Sequence, residues 1–195
     1  SYASHARMEE RNVEIGKDFS QYAWNKVEGS SSEKAIIASG ISYAYAKEYL
    51  KNHEDIRLIK IATAYPFPED FVRTALEGVK EVICLEELSP YIEEQVLKLA
   101  GRYKLSIKVS GKLDGKVPHS GENSANLSAD ILSEFLGIEK VEQGIALSDA
   151  PALPVRPPVL CAGCPHRASF YAVKQAMKGK TVSYTHLRAH ETLAN

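Results

Sequence analysis

The residues best suited to chemistry in this chain are two cysteines near its C-terminal end. They stand in the run Cys161-Ala-Gly-Cys164-Pro-His-Arg. Thiolates three positions apart can bind one metal ion or one corner of an iron–sulfur cluster, because both favour sulfur ligands. A cluster needs four thiolates, so this pair can hold one only together with residues from elsewhere. The same spacing is also typical of a structural turn whose thiols do no chemistry.

An amphipathic pattern follows the cysteines and predicts a helix that starts beside them. Phe170, Val173 and Met177 recur at core-facing spacing. N–H groups at a helix N-terminus favour anions, so we expect lowered thiol pKa values and a possible phosphate contact there. For zinc, a second cysteine pair is absent and only His166 follows. A c-type haem attachment is excluded, because Pro165 separates the second cysteine from the histidine.

Length and composition limit the classes of protein to which the chain can belong. The 195 residues carry 24 basic and 25 acidic side chains, so no charge excess points to nucleic acid or to an acidic tail. We find no apolar stretch of membrane-spanning length and no signal-peptide pattern. Three cysteines, two of them in the CxxC pair, do not resemble a secreted disulfide framework. We therefore expect a cytoplasmic protein without nucleic-acid or membrane partners.

Short apolar runs alternate with amphipathic stretches from residue 34 onward, which is typical of an α/β fold with a parallel sheet covered on both faces. Gly40 is expected to end the first strand and open a helix, and Ser89 is expected to cap the helix that starts at Pro90. One α/β domain is placed at 34–140. The predicted strands are 35–38, 56–62, 80–85 and 105–109, and the predicted helices are 41–51, 69–77, 90–101 and 127–136.

The segments on either side of this domain are interpreted as connections. Residues 1–33 show a short helical pattern around 19–27 and end in a serine run, so they are interpreted as a linker from a missing upstream domain. Residues 141–158 contain four prolines and are predicted to form an extended linker. A second domain is expected to begin at 159 and to break off near 181, after one strand-like step and one helix.

The run at 156–173 resembles the segment that opens the diphosphate-binding domain in the alpha subunit of indolepyruvate:ferredoxin oxidoreductases. In both, Arg-Pro-Pro and a strand-like Val-Leu precede Cys-x-Gly-Cys-Pro-His-Arg. Looser similarity extends upstream through 36–43, 86–95 and 111–115. These enzymes belong to the thiamine-diphosphate-dependent 2-oxoacid:ferredoxin oxidoreductases. The resemblance implies CoA-dependent oxidative decarboxylation of aryl-2-oxoacids such as indolepyruvate, with ferredoxin as electron acceptor.

The resemblance also implies roles for individual residues. Cys161 and Cys164 would ligate a [4Fe–4S] cluster in the intact enzyme. His166 would be catalytic, by positioning a 2-oxoacid carboxylate or assisting proton transfer. Arg167 would pair with a carboxylate or a phosphate. The implied cofactors are thiamine diphosphate, Mg²⁺ and [4Fe–4S] clusters, and the implied partners are a smaller beta subunit, ferredoxin, the 2-oxoacid and CoA. The implied cofactor-binding residues are Cys161, Gly163, Cys164, His166 and Arg167.

The same resemblance names the predicted domains. The α/β domain at 34–140 would be transketolase-C-like, and 159–181 would be the truncated start of a thiamine-diphosphate-binding domain. Residues 1–33 would then follow a pyrimidine-binding domain. Residues 182–195 depart from the family pattern and resemble a translated sequencing adapter, so they are expected to be a non-native tail. A chain cut there is expected to be inactive and to hold none of the cofactors alone.

Two other functions stay open from the sequence: a non-catalytic module that packs domains or subunits together, and a CxxC metal-binding or redox protein. Five further acidic residues and one histidine lie near predicted strands, helices or loops, but each has an ordinary structural interpretation. Those interpretations are interdomain hydrogen bonding or helix capping for Glu86 and Glu87, a solvated helix face for Glu93 and Glu94, and a surface loop for His119 and Glu122.

Overall fold

A five-stranded sheet organises the first of the two units into which the computed structural model divides, Ser1–Gln143 and Gly144–Asn195. The structure describes residues 2–30, 33–138 and 162–176. The strand order is β1-β3-β2-β4-β5, in which β2 to β5 run parallel and β1 is antiparallel to β3. The strands are β1 (Lys26–Glu28), β2 (Lys34–Ser39), β3 (Arg57–Ile61), β4 (Glu81–Leu85) and β5 (Lys108–Ser110).

Five helices accompany the sheet, and a sixth forms the described part of the second unit. A short 3₁₀ turn at Leu50–Asn52 follows the second helix. The α/β fold class predicted from the sequence is thereby confirmed. The helices are α1 (Tyr2–Ser20), α2 (Gly40–Tyr49), α3 (Glu69–Ala75), α4 (Tyr91–Tyr103), α5 (Ala125–Leu136) and α6 (Pro165–Ala176).

Two apolar clusters, one on each face, hold the helices to the sheet. Successive side chains of a strand point to opposite faces, so Ile36 and Ile37 enter different clusters. One cluster contains Val72 of α3 and Val96 of α4. The other contains Leu132 of α5 and residues of α2. Burial on both faces explains why the central strands read as continuous apolar runs.

The N-terminal residues differ from the predicted helical pattern around 19–27. Helix α1 ends at Ser20, and Val27 lies in the edge strand β1, opposite Ile59. Asn25 fixes this start, because its side-chain oxygen accepts hydrogen bonds from Ala62 N at 2.7 Å and Thr63 N at 3.2 Å. The segment expected to be a linker therefore contains a strand of the sheet. Its sequence, one apolar residue between two charged ones, did not predict that strand.

Two further details differ from the sequence-based expectation, while Gly40 does open α2, with φ of +53°. The last strand begins at residue 108 rather than 105, because its pairing with β4 starts there. Helix α4 begins at Tyr91, Pro90 occupies its N-cap, and no side chain of the cap residue bonds to it. Ser89 is therefore not the cap.

The predicted boundaries at 141–158 and the proposed tail at 182–195 lie outside the described residues. Within the part of the chain that the structure does describe, no helix is both long enough and apolar enough to cross a membrane.

Candidate functional site

The turn before α6 brings a thiol and an imidazole together. Gly163 has φ of +80°, a conformation that favours glycine, and Cys164 follows directly before the helix. The Sγ atom of Cys164 lies 3.2 Å from Nδ1 of His166. The N–H of Arg167 donates to the Cys164 carbonyl at 3.1 Å, which closes the first turn. The local sequence therefore places both side chains at one helix N-terminus.

This position lowers the pKa of the Cys164 thiol. The hydrogen bond with His166 is the largest cause, and backbone N–H groups of His166 and Arg167 add to it. A thiolate is both the nucleophilic and the metal-binding form of cysteine. The expectation of a lowered thiol pKa beside the helix is met at Cys164, which can act as a ligand or as a nucleophile.

Other parts of the predicted cofactor site are only partly covered by the structure. Cys161 and Met177 lie outside the described residues, so the structure describes only one thiol of the predicted pair, Cys164. Phe170 and Val173 are half-buried, as the helical pattern predicted, whereas Tyr171 is exposed. Among the residues that the structure describes, no group of three or more His, Cys, Asp or Glu side chains is arranged to hold a metal ion.

A second polar cluster lies at the carboxyl edge of the parallel sheet, where the carboxylate of Glu86 follows β4. Glu86 is 4% exposed, and its two oxygens accept hydrogen bonds from Ile92 N at 2.8 Å and Glu93 N at 2.9 Å. These donors are the unpaired N–H groups at the start of α4. The capping interpretation of Glu86 is confirmed, and it explains why no cap residue bonds to this helix.

Glu93 does not lie on a solvated helix face, so that prediction is wrong. It is 1% exposed and accepts hydrogen bonds from Lys112 N at 2.7 Å and Leu113 N at 3.1 Å. The loop after β5 closes over the helix at this point. A Cβ atom at Gly111 would lie 2.6 Å from the Glu93 carboxyl group, so only glycine leaves room for it. Glu94 is exposed, as predicted.

Burial shifts the pKa values of this cluster. It raises the pKa of Glu86, and nearby Glu93 adds to the rise, while the two N–H groups and Lys112 oppose it. Burial also raises the pKa of the Cys84 thiol well above its usual value, and both carboxylates contribute. Cys84 itself is fully buried on β4.

Asn123 joins its own loop to the loop after β4 and to the start of α2 at the same edge. Its backbone N–H donates to Glu87 Oε1 at 3.1 Å, and its side chain donates to Ser42 Oγ at 2.8 Å. A longer bond of 3.5 Å reaches the Glu86 carbonyl. Sequence patterns did not predict the roles of Asn123 and of the 2%-exposed Lys112, whose Nζ donates to Pro118 O at 2.5 Å. Asn123 bonds to groups 36 and 81 positions away, which meet only in the folded chain, and Lys112 bonds to a carbonyl of its own loop.

The remaining residues of the 111–124 loop match their predicted surface position. His119 and Glu122 are both exposed. Asp114 stabilises the turn instead of binding a ligand, since its Oδ1 accepts from Gly111 N at 2.9 Å and Lys116 N at 3.3 Å.

Sequence comparison relates the chain to subunits of oxidoreductases. It is 39% identical over 149 residues to the indolepyruvate oxidoreductase subunit IorA of Methanothermobacter thermautotrophicus, which covers 76% of this chain and 24% of that protein. The subunit IorA of Thermococcus kodakarensis is 33% identical over 186 residues, 91% of this chain and 28% of that protein. The subunit IorA of Archaeoglobus fulgidus is 32% identical over 185 residues, which cover 89% of this chain and 29% of that protein. The predicted resemblance is confirmed.

The chain spans about a quarter of the length of the curated relatives that it matches. No protein-family model matches it. Among solved structures, it is similar to a split gene transketolase described as an inactive beta4 tetramer, with a TM-score of 0.42 and 19% identity over 56% of this chain and 38% of that one.

Proposed function

We propose that the chain is a segment of the large subunit of an indolepyruvate:ferredoxin oxidoreductase. The intact enzyme would convert indolepyruvate and related aryl-2-oxoacids to acyl-CoA and carbon dioxide, with ferredoxin as electron acceptor and a smaller beta subunit as partner. The observation that carries this proposal is the 39% identity over 149 residues to an indolepyruvate oxidoreductase subunit. Free thiols such as Cys84 and Cys164 suit the reducing cytoplasm.

The α/β unit would be a non-catalytic module within that enzyme. Its buried carboxylates accept hydrogen bonds from backbone N–H groups: Glu86 bonds to the start of α4, and Glu93 bonds to the loop after β5. Carboxylates occupied in this way stabilise loops and helix ends instead of meeting a substrate. This use of the acidic groups favours a packing role for the unit.

The turn at Cys164 would supply the chemical part of the chain. Thiamine diphosphate, when bound, stabilises the carbanion left by decarboxylation, and an iron–sulfur cluster carries electrons onward. Cys164, together with Cys161, would ligate one corner of the cluster, and the lowered thiol pKa fits that role. Arg167 would bind a carboxylate or a phosphate, and other residues of the intact enzyme would hold Mg²⁺. The His166 Nδ1 contact would hold a proton between nitrogen and sulfur.

The test replaces the matching segment of the Methanothermobacter thermautotrophicus subunit with the corresponding residues of this chain and co-expresses its partner subunit. We expect CoA-dependent reduction of ferredoxin by indolepyruvate under anaerobic conditions. Cys164→Ser should lower the cluster content and the rate, whereas Cys84→Ala, a change in the core, should leave both nearly intact. A chimaera that assembles and binds thiamine diphosphate but gives no indolepyruvate-dependent reduction would contradict the proposal.

The lowered pKa of Cys164 also favours a second function, a CxxC metal-binding or redox protein. Zinc titration of the chain by itself separates the two. Under the main proposal, the chain alone binds neither zinc nor a cluster stoichiometrically. One zinc per chain, lost in Cys164→Ser, would favour the second function.

A further inference from the structure

Each of the four parallel strands is followed by one exposed, large apolar side chain. Tyr65 is 69% exposed after β3, Ile41 48% after β2, Leu88 78% after β4 and Leu113 52% after β5. These strands are consecutive in the sheet, about 4.8 Å apart, so the four residues form a row along one edge. We call them the carboxyl-edge row.

Hydrogen bonds join three of the four segments that carry this row, namely the start of α2, the loop after β4 and the loop after β5. Asn123 bonds to Ser42, next to Ile41, and to the Glu86 carbonyl, in the loop that carries Leu88. Glu93 of α4 bonds directly to Leu113 N. Ile41, Leu88 and Leu113 therefore belong to segments that are joined to one another, and the Tyr65 hydroxyl accepts a hydrogen bond from Asn12 of α1 at 3.4 Å.

Leu88 combines the greatest exposure in the row with an unfavourable backbone. Its φ is +60°, in the left-handed region that disfavours residues with a Cβ atom. A leucine that is 78% exposed gains no burial within the described unit to offset that conformation. Strained backbone of this kind concentrates at binding sites, where another molecule supplies the missing contact. A leucine at position 88 is therefore better explained by contact with a partner than by a contribution to the stability of the chain.

The charge around the row indicates the chemistry of the occupant. The first residues of α2, at 40–42, and the loop after β3, at 62–68, contain no charged residue, and α1, whose Asn12 bonds to the Tyr65 hydroxyl, carries charges of both signs. Around the β4 and β5 loops the exposed charges are acidic except for Lys116. If a second copy of the chain bound here through the same surface, acidic residues would face acidic residues and repel each other. A partner with a basic fringe would complement it. The exposed acidic residues are Glu87, Glu94, Asp114 and Glu122.

We propose that the carboxyl-edge row is a docking surface for a basic protein segment, in which leucine-like side chains are framed by arginine or lysine. The inference rests on the proposed role of the α/β unit as a packing module and adds the surface and the chemistry of the partner. Apolar contact with the row would give affinity, and the charges would fix orientation.

The test uses two synthetic amphipathic helical peptides with the same leucine positions, one fringed with arginine and the other with glutamate. Their binding to the full chain is measured by fluorescence anisotropy at low and high salt. We expect the arginine peptide to bind at least about tenfold more tightly. Its affinity should fall with salt, because the charges are exposed. Equal binding of both peptides, or no binding of the arginine peptide, overturns the proposal.

Two variants with the same backbone change locate the surface. Leu88→Gly relieves a positive φ and removes a side chain of the row, so it should weaken the arginine peptide about tenfold without loss of thermal stability. Lys104→Gly relieves a positive φ of 52° at the C-cap of α4, away from the row, and should leave binding unchanged. Equal weakening in both variants overturns the assignment.

Sedimentation of the chain alone tests the competing occupant. We expect no dimer that Leu88→Gly dissociates, and such a dimer would make a second copy the occupant and overturn the proposal. An inactive chimaera in the enzyme assay leaves the peptide result unaffected, because the titration needs neither cofactor nor turnover.

Discussion

The two edges of the sheet meet the same requirement with opposite charges. Helices that follow parallel strands begin at the carboxyl edge with unpaired N–H groups and end at the amino edge with unpaired carbonyl groups. At the carboxyl edge Glu86 accepts from the first N–H groups of α4. At the amino edge Arg57 Nη1 donates to Ala75 O and Glu77 O, both at 2.8 Å. Each sign matches the helix dipole that it faces.

The edges differ in what they leave exposed. At the amino edge, cations are occupied locally: Lys34 donates to Phe135 O at 2.7 Å, and Lys80 pairs with Glu33. Tyr103, exposed near that edge, is covered on one side by the Arg73 guanidinium 5.6 Å away. At the carboxyl edge the carboxylates of Glu86 and Glu93 are buried, and the four apolar side chains of the carboxyl-edge row are exposed. Similar capping bonds therefore occur at both edges, but only the carboxyl edge leaves a row of apolar side chains exposed.

The largest effect is expected when a buried carboxylate of the carboxyl edge is removed. Glu93→Ala leaves the N–H groups of Lys112 and Leu113 without their acceptor, which should lower the free energy of unfolding by about 3 kcal/mol. Urea denaturation measures the change. Glu94→Ala, on the exposed side of the same turn, should change it by less than about 0.5 kcal/mol. Equal effects of the two variants would contradict the buried role of Glu93.

A smaller effect is expected at the amino edge. Arg57→Ala leaves two carbonyl groups that water can reach, so the free energy of unfolding should fall by only about 1 kcal/mol. Lys108→Ala, an exposed cation at the start of β5, is the matched control and should be nearly neutral. A loss as large as that of Glu93→Ala would remove the contrast between the edges.

The pH dependence of stability should differ for carboxylates near the two edges. Burial raises the pKa of Glu28, but hydrogen bonds from Lys26, Tyr43 and Lys47 together outweigh it and lower the pKa from 4.5 to about 2. Because the folded value lies below the unfolded one, Glu28 stabilises above about pH 4.5 and loses that contribution as pH falls towards 2. Wild type should therefore exceed Glu28→Gln in stability at neutral pH, and the two should converge near pH 2 in urea titrations.

Glu86 has the opposite sign, because its folded pKa is raised. Its contribution is fully present below the unfolded pKa and declines as pH rises through the folded value. Carboxyl carbon shifts in an NMR titration should place the midpoint of Glu86 above 4.5 and that of Glu28 near 2. A reversed order would contradict the electrostatic contrast between the two carboxylates.

The smallest effect on stability is expected at Cys164, where the reactivity changes instead. Its thiol should react with iodoacetamide with a midpoint below the ordinary pKa of 9.0, and His166→Ala should move the midpoint upward. Cys84, fully buried, should stay unreactive in the folded chain and provides the internal control. Mass spectrometry of the labelled peptides separates the two sites. An unchanged midpoint in His166→Ala would remove the assigned cause.

The sequence predicted the elements whose pattern is local and strong. Strands β2 and β4 are continuous apolar runs, and α5 has a cap in Ser124, whose Oγ accepts from Leu127 N at 3.1 Å. The lowered pKa of the Cys164 thiol was expected from its place beside a helix N-terminus, whereas its contact with His166, the largest cause, was not predicted. Strand β1 was missed because it follows Asn25, whose side-chain oxygen accepts hydrogen bonds from residues 37 and 38 positions away.

The buried role of Glu93 escaped prediction for a related reason. A helical wheel places the Glu93 carboxylate on the solvent-exposed side of α4. In the structure, a loop 19 residues further along the chain covers its oxygens. The roles implied for Cys161, Arg167 and the cofactors stay predictions.

The close approach at Gly111 has an evolutionary consequence. Its φ lies outside the left-handed region, so the backbone there would accept alanine, and only the Glu93 carboxyl group, 2.6 Å from the missing methyl, excludes it. Shortening the acid to aspartate would withdraw that group by one methylene. The two positions are therefore expected to drift in concert: a lineage that acquires a side chain at 111 must first, or simultaneously, retract the one at 93.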